Sequence, residues 1–130
     1  MSAYLLDTHT LIWAVRTRKK LSSKAIKILE NPNSLLYVSS LSVWEIHMKH
    51  RLGKLPEADD LVADFEGSLR RLNAFDLPFT REHAVEASSV QLPHGDPFDR
   101  GLFAQAKLEG FTLISADGAF EDVVGVKVLW

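Results

Sequence analysis

The 130-residue chain contains no cysteine, which excludes a disulfide framework and a thiolate metal site. It has no apolar run of about 18 residues, so the sequence predicts no membrane-spanning helix. The acidic Asp7 interrupts the N-terminus before the apolar segment of a signal peptide could form. The net charge of -2 gives no general attraction for nucleic acid. These absences favour a cytoplasmic location.

The composition is ordinary for a soluble globular protein, with 46% hydrophobic and 25% charged residues. A chain of this length is long enough to bury a real core within one domain. It contains no repeat, linker or low-complexity segment that would divide it. We therefore expect residues 1–130 to form a single domain.

Apolar runs that are short enough for buried strands alternate with segments of helical spacing. This alternation predicts a parallel sheet with helices on both faces, a three-layer α/β/α sandwich of roughly five strands. The predicted strands are Ala3–Leu6, Leu35–Val38, Ala74–Leu77, Phe111–Ile114 and Val124–Leu129. The predicted helices begin at Thr8, Ser22 or Ser23, Ser42, Pro56, Thr80 and Asp96–Pro97.

Four acidic residues that are far apart in the chain lie where an apolar stretch gives way to a turn or a helix start. They are Asp7, Glu45, Asp99 and Asp117. Ligands of parallel sheets bind at the carboxyl ends of the strands, so these acids can converge on one pocket. Several carboxylates in one pocket repel each other unless protons or cations enter it. Oxygen ligands without cysteine favour one or two Mg²⁺ or Mn²⁺ ions.

Each acid also has a purely structural explanation. Asp7 would cap the first helix, and Ser42 with Glu45 has the spacing of a capping box. Asp99 is favoured by the dipole of its helix, and Asp117 before a glycine suits an ordinary turn. Taken singly, these structural roles are the stronger interpretation. For the four acids together the structural explanation is weaker, because three of them flank predicted strand ends at the edge of the sheet where ligands bind.

Four segments of the chain together carry a family resemblance. In chain order they are Leu5-Leu6-Asp7-Thr8-His9, Ser39-Ser40-Leu41-Ser42-Val43-Trp44-Glu45-Ile46, Asp96-Pro97-Phe98-Asp99-Arg100 with Ala104-Gln105-Ala106, and Leu113-Ile114-Ser115-Ala116-Asp117. With these segments in the same order, the sequence resembles the PIN-domain family, in particular VapC-type ribonuclease toxins of bacterial toxin–antitoxin pairs. The resemblance spans essentially the whole chain and implies a parallel α/β/α fold with Mg²⁺- or Mn²⁺-dependent RNA cleavage. It also implies a homodimer, a small antitoxin partner, and an acidic site at Asp7, Glu45, Asp99 and Asp117.

The third acid of that site is Asp99, because it directly precedes the small-residue helix segment, and Asp96 is the alternative. If Pro97 is the first helical residue, Asp96 is the N-cap and Asp99 points in another direction. Ser115 stands where many family members carry threonine, and it keeps the hydroxyl group.

The remaining polar candidates each have two interpretations. Thr8 caps the first helix, or it holds Asp7 or a metal-bound water. Arg100 contacts phosphate or orients a carboxylate through an ion pair. His9 and His94 are not required as general bases where a metal activates water. Trp44 is expected to pack in the core rather than to stack on a base.

The favoured function is a metal-dependent endoribonuclease. One alternative is a PIN-like binding module that has lost catalysis, although all four acids are present. Another is a phosphatase-like hydrolase on a different doubly wound fold. Asp7-Thr8-His9 lacks the second aspartate that aspartyl-phosphate chemistry would use in that loop.

Overall fold

A computed structural model of the protein describes residues 2–92, 95–120 and 123–130. Its strands form one parallel sheet in the spatial order β3-β2-β1-β4-β5. The chain leaves the central strand β1 in one direction for β2 and β3, and in the other for β4 and β5. The carboxyl edge beside β1 is therefore the switch point where ligands of such sheets bind. The strands are β1 (Ala3–Leu6), β2 (Leu35–Ser39), β3 (Ala74–Leu77), β4 (Thr112–Ile114) and β5 (Val128–Leu129).

Helices cover both faces of the sheet. Leu6 of β1 belongs to one buried cluster with residues of α1 to α5, whereas Leu5 belongs to a second cluster with Leu41 of α3, Val90 after α6 and apolar residues of α7. Burial on both faces explains why the central strand β1 is continuously apolar, and the predicted α/β/α fold is confirmed. The helices of the described residues are α1 (Thr8–Val15), α2 (Ser23–Glu30), α3 (Ser40–Arg51), α4 (Asp59–Ala63), α5 (Phe65–Leu72), α6 (Arg81–Ser89) and α7 (Pro97–Glu109). Short 3-10 turns occupy Arg18–Lys20, Pro56–Ala58 and Gly118–Phe120.

Most predicted helix ends have the expected caps. Ser22 caps α2 through the Ala25 N–H, and Thr80 caps α6 through the His83 N–H. Gly110 follows α7 with a φ of 73°, in the left-handed region that glycine adopts without a steric penalty. The starts of α2 and α6 and the end of α7 therefore follow from the local chemistry of the sequence.

Two predicted elements are wrong in their extent. The helix predicted from Pro56 to Leu72 is broken at Asp64, whose φ of -151° is not helical and whose side chain caps α5 through the Gly67 N–H. The strand predicted over Val124–Leu129 is reduced to Val128–Leu129, because Gly125 lies in a turn with a φ of 109°. Helical periodicity alone does not show such an internal cap. In the described part of the chain no helix has the length and apolar character to cross a membrane.

Candidate active site

The four predicted acids meet in one pocket at the carboxyl edge of the sheet, together with Asp96. The pocket has a volume of about 380 Å³. Asp7 follows β1 and Asp117 follows β4, its neighbour in the sheet, while Glu45 comes from α3 and Asp96 and Asp99 come from the start of α7. The described residues that line the pocket are Asp7, Thr8, His9, Trp13, Glu45, Lys49, Asp96, Asp99, Ala116 and Asp117.

Asp7 is buried and is held by two hydrogen bonds at the start of α1. Its Oδ1 accepts the Thr10 N–H at 2.9 Å, so it caps the helix, and its Oδ2 accepts the Ser115 hydroxyl at 2.5 Å. Burial raises the pKa of Asp7 above its ordinary value, and the hydrogen bonds from Ser115 and Thr10 oppose that increase. Asp7 is therefore a carboxylate that is fixed in place although its charge is poorly solvated.

Ser115 connects the acids that follow β1 and β4. Its hydroxyl donates to Asp7 and accepts the backbone N–H of Asp117 at 3.0 Å. Ser115 is itself buried, whereas Asp117 is exposed at the rim of the pocket. The serine thus fixes the loop that carries Asp117 relative to Asp7.

Glu45 is not part of a capping box with Ser42. Helix α3 begins two residues earlier than predicted, at Ser40, and Ser39 is its N-cap through the Leu41 N–H at 3.0 Å. Ser42 is buried within the first turn of α3 and lies 3.1 Å from the hydroxyl oxygen of Thr8. The Glu45 carboxylate is consequently available to interactions between helices.

Thr8 holds Glu45, a role that the sequence did not indicate. Its hydroxyl donates to Glu45 Oε1 at 2.7 Å, and both side chains are buried. Asp7, not Thr8, is the cap of α1. The capping role predicted for Thr8 is therefore wrong, and its hydroxyl makes a contact that joins α1 to α3.

Lys49 is a pocket residue that the sequence analysis missed. Its Nζ lies 2.5 Å from Glu45 Oε2, one helical turn further along α3. The hydrogen bond to Glu45 raises the pKa of Lys49, and the charges of Asp96 and Asp99 contribute to the increase. The only available signal was the spacing of four residues between Glu45 and Lys49, which is also the spacing of ordinary ion pairs on helix surfaces.

Asp96 and Asp99 differ as the sequence predicted. Asp96 is the N-cap of α7, and its Oδ1 accepts the Phe98 N–H at 2.9 Å. Pro97 is the first helical residue, so Asp99 is the third. Both acids are partly buried and both line the pocket. Asp96 has thus committed one carboxylate oxygen to helix capping.

Arg100 and Trp44 do not have the predicted roles. Arg100 donates from Nε to the Ala87 carbonyl at 3.1 Å and from Nη2 to the Ser88 carbonyl at 3.3 Å, so its guanidinium joins α7 to the end of α6. Trp44 is 61% exposed, because the buried face of α3 carries Leu41, Ser42, Glu45 and Ile46. Its ring lies edge-on to Phe98, with 5.1 Å between the ring centroids.

His9 and His94 were the two histidines considered for catalysis. His9 lines the pocket but is exposed, and its ring centroid lies 5.7 Å from that of Trp13. His94 lies outside the described residues.

The donor atoms of the pocket fit a hard divalent cation in kind. Five carboxylates and the Thr8 hydroxyl supply oxygen atoms of the kind that Mg²⁺ and Mn²⁺ take, and a cation would offset the burial of Asp7. Among the described residues, however, no three acidic or histidine side chains lie closely enough together to share one ion. The Lys49 ammonium group already places one positive charge beside Glu45. The pocket therefore has the right donor atoms for a metal, but they are not arranged as a finished metal site.

Comparison with known proteins gives the family of the chain. The PIN domain family model matches residues 4–126. The chain belongs to the PIN-domain family. Proteins of this family are nucleases, and the sequence prediction of the family is confirmed. No curated protein sequence matches the chain.

Solved structures support the PIN fold at low sequence identity. A chain of VapBC2 from Rickettsia felis bound to a promoter DNA fragment is similar, with a TM-score of 0.73 and 16% identity over 98% of this chain and 97% of that chain. DNA-bound VapBC from Salmonella typhimurium gives a TM-score of 0.71 and 18% identity over 99% and 98% of the two chains. FitAcB from Neisseria gonorrhoeae gives a TM-score of 0.65 and 22% identity over 98% of this chain and 96% of that chain.

Proposed function

We propose that residues 1–130 form one PIN-like nuclease domain that acts as a metal-dependent endoribonuclease, the VapC-type toxin of a toxin–antitoxin pair. The observation that supports this proposal best is the convergence of Asp7, Glu45, Asp99 and Asp117 in one pocket of a PIN-family chain. The pocket has a volume of about 380 Å³, and Asp117 is exposed at its rim.

The acids would hold one or two Mg²⁺ or Mn²⁺ ions. Asp7, Asp99 and Asp117 are the proposed ligands, and Glu45 completes the site directly or through water. A divalent ion in such a site supplies hydroxide for in-line attack on the phosphodiester and stabilises the charge on the leaving oxygen. The protein fixes the ligands beforehand, through the hydrogen bonds that Asp7 receives from Ser115 and from the Thr10 N–H.

Two other functions receive less support. A binding module without catalysis does not explain why all four acids are present and meet in one pocket, where their charges repel each other. A phosphatase-like enzyme would need a second aspartate in the loop after β1. Thr8 and His9 occupy that part of the chain instead, and Thr8 is committed to Glu45.

Cleavage of RNA in the presence and absence of metal tests the proposal. We expect the wild-type protein to cleave structured RNA with Mg²⁺ or Mn²⁺ and to be inactive in EDTA. Folded Asp7→Asn should lose nearly all cleavage, because an amide cannot replace an anionic ligand. Wild-type activity in EDTA, or full activity of folded Asp7→Asn, would contradict the proposal. Cleavage of DNA alone would contradict the choice of RNA.

The proposed partners are a second copy of this chain and a small antitoxin, in the cytoplasm. Structurally similar proteins come from toxin–antitoxin complexes, which supports an antitoxin partner. An antitoxin could inhibit by placing a cationic side chain among the carboxylates of the pocket. Dilute-solution scattering at the mass of a monomer would exclude the dimer. The absence of a small neighbouring open reading frame would argue against the antitoxin.

A further inference from the structure

We propose that Lys49 is the group that binds the RNA phosphate in this site, and that Glu45 acts by holding Lys49 rather than by coordinating the metal. This inference rests on the nuclease function proposed above, and it replaces the metal-binding role given to Glu45 there. It assigns different roles to the two halves of the pocket. Asp7 and Asp117, joined through Ser115, belong to the metal half. Glu45 and Lys49, joined by their ion pair, form the phosphate-binding half.

The charges of the pocket require a fixed cation. RNA brings a phosphate anion to five carboxylates, and like charges repel each other. Lys49 contributes the one lysine or arginine side chain among the described residues that line this pocket. Its ammonium group has three N–H donors, and one of them is directed to Glu45. Among the described residues the other two N–H donors have no hydrogen-bond partner, so they can donate to phosphate oxygens.

A cation already occupies one carboxylate oxygen of Glu45. Its Oε1 accepts from Thr8 at 2.7 Å, and its Oε2 lies 2.5 Å from the Lys49 ammonium group. A metal ion that approached Oε2 would have to displace that ammonium group. Asp7 is equally buried, but its two oxygens accept only from neutral groups, the Thr10 N–H and the Ser115 hydroxyl. Asp117 is exposed at the pocket rim.

A second pair with the same spacing shows that the Glu45–Lys49 pair is not an ordinary surface contact. Glu66 and Arg70 are also four residues apart, on α5, but their side chains are 87% and 73% exposed and their charged atoms lie 3.3 Å apart. Exposed pairs of this kind contribute little to stability. The buried carboxylate of Glu45 depends on its partner more strongly, because an unpaired buried charge is costly.

The test uses a double variant, Glu45→Gln/Lys49→Met, which removes the pair without changing the net charge. If Lys49 binds the phosphate and Glu45 holds Lys49, the Mn²⁺ dissociation constant of the double variant stays within about 2-fold of the wild-type value. RNA cleavage then falls about 100-fold, as when one charged donor to a transition state is removed. Glu66→Gln/Arg70→Met is the matched control, and it should change neither quantity.

The single variants keep the test decisive if the double variant does not fold. Lys49→Arg retains the cation, so it should restore much of the activity that Lys49→Met loses, at unchanged Mn²⁺ affinity. A double variant or a folded Glu45→Gln that binds Mn²⁺ as weakly as Asp7→Asn would show that Glu45 is a ligand and overturn the inference. Wild-type cleavage rates in Lys49→Met would also overturn it.

The wild-type controls separate this inference from the proposed function. Wild-type protein that binds no Mn²⁺, or that cleaves no RNA, contradicts the nuclease function itself. Wild-type protein that binds Mn²⁺ and cleaves RNA, beside variants that fail the expectations above, contradicts only the roles of Lys49 and Glu45.

Discussion

Replacing Asp7 by asparagine separates the charge of the buried acid from its hydrogen bonds. Burial raises the pKa of Asp7, which means that the folded protein tolerates the charged form poorly. Asparagine removes the charge and still accepts the Thr10 N–H through Oδ1, since asparagine caps helices about as well as aspartate. Its Nδ2 replaces the oxygen that accepts from Ser115, so it can keep that contact only by donating to Ser115 Oγ. In EDTA at neutral pH we therefore expect Asp7→Asn to unfold at the wild-type temperature or above it.

Asp7→Ala should be less stable than Asp7→Asn. Alanine removes the helix cap, which costs about 1 kcal/mol. It also removes any hydrogen bond to the buried Ser115 hydroxyl, which asparagine keeps through Nδ2 and which contributes about 0.5–1.5 kcal/mol. The sum of the two losses is about 1.5–2.5 kcal/mol. At about 4 °C per kcal/mol for a chain of this size, the alanine variant should melt about 6–10 °C below the asparagine variant.

The pH dependence follows from the direction of the pKa shift. Because the pKa of Asp7 is raised by folding, the stability linked to its proton is fully present below the unfolded pKa. That stability is lost as the pH rises through the folded pKa. The difference in free energy of unfolding between Asp7→Asn and the wild type should therefore be small at about pH 4, near the pKa of an unfolded aspartate. At neutral pH this difference should be larger and in favour of the variant.

Thermal denaturation followed by circular dichroism measures these effects in EDTA and in Mn²⁺. At a Mn²⁺ concentration of about 100 times the dissociation constant, the wild-type protein should gain about 2.7 kcal/mol, and both variants should gain far less. If Asp7→Asn melts below the wild type in EDTA at neutral pH, the argument from buried charge is refuted. If it gains as much stability from Mn²⁺ as the wild type, Asp7 is not a ligand.

Four further substitutions test individual parts of the structure. Asp96→Asn should keep the cap of α7 and most cleavage, whereas Asp99→Asn should lose Mn²⁺ binding and nearly all cleavage; the reverse pattern would make Asp96 the ligand. Ser115→Ala should weaken Mn²⁺ binding about 10-fold, because Asp7 and the Asp117 loop lose their common anchor; unchanged binding in a calorimetric titration would refute this. Arg100→Ala should destabilise the protein by about 1–3 kcal/mol in urea denaturation, through two lost hydrogen bonds, without reducing cleavage by the folded protein.

The sequence predicted the features that depend on local chemistry. Strands buried on both faces are continuously apolar, so Leu5 and Leu6 mark β1 although they belong to different core clusters. Asp96 followed by Pro97 indicates a helix start by itself. The position of Asp7 after β1 then places it at the carboxyl edge. These steps need no knowledge of how distant segments pack.

The features that the sequence did not predict depend on contacts between elements. Thr8 binds Glu45 only because α1 and α3 lie side by side, and the two residues are 37 positions apart. The exposure of Trp44 depends on which face of α3 meets the core, and a short helix with apolar residues on several sides does not settle that choice. Lys49 was overlooked because pairs of this spacing are common on helices.

The most direct test of the nuclease proposal is to measure the RNA cleavage rate and the bound Mn²⁺ in the same samples over a range of free Mn²⁺ concentrations. The account predicts that cleavage is absent without bound metal and rises in proportion to occupancy of the site. Asp7→Asn should show neither binding nor cleavage over that range. Cleavage that persists at zero occupancy, or a fully occupied wild-type site that cleaves no RNA, would contradict the account.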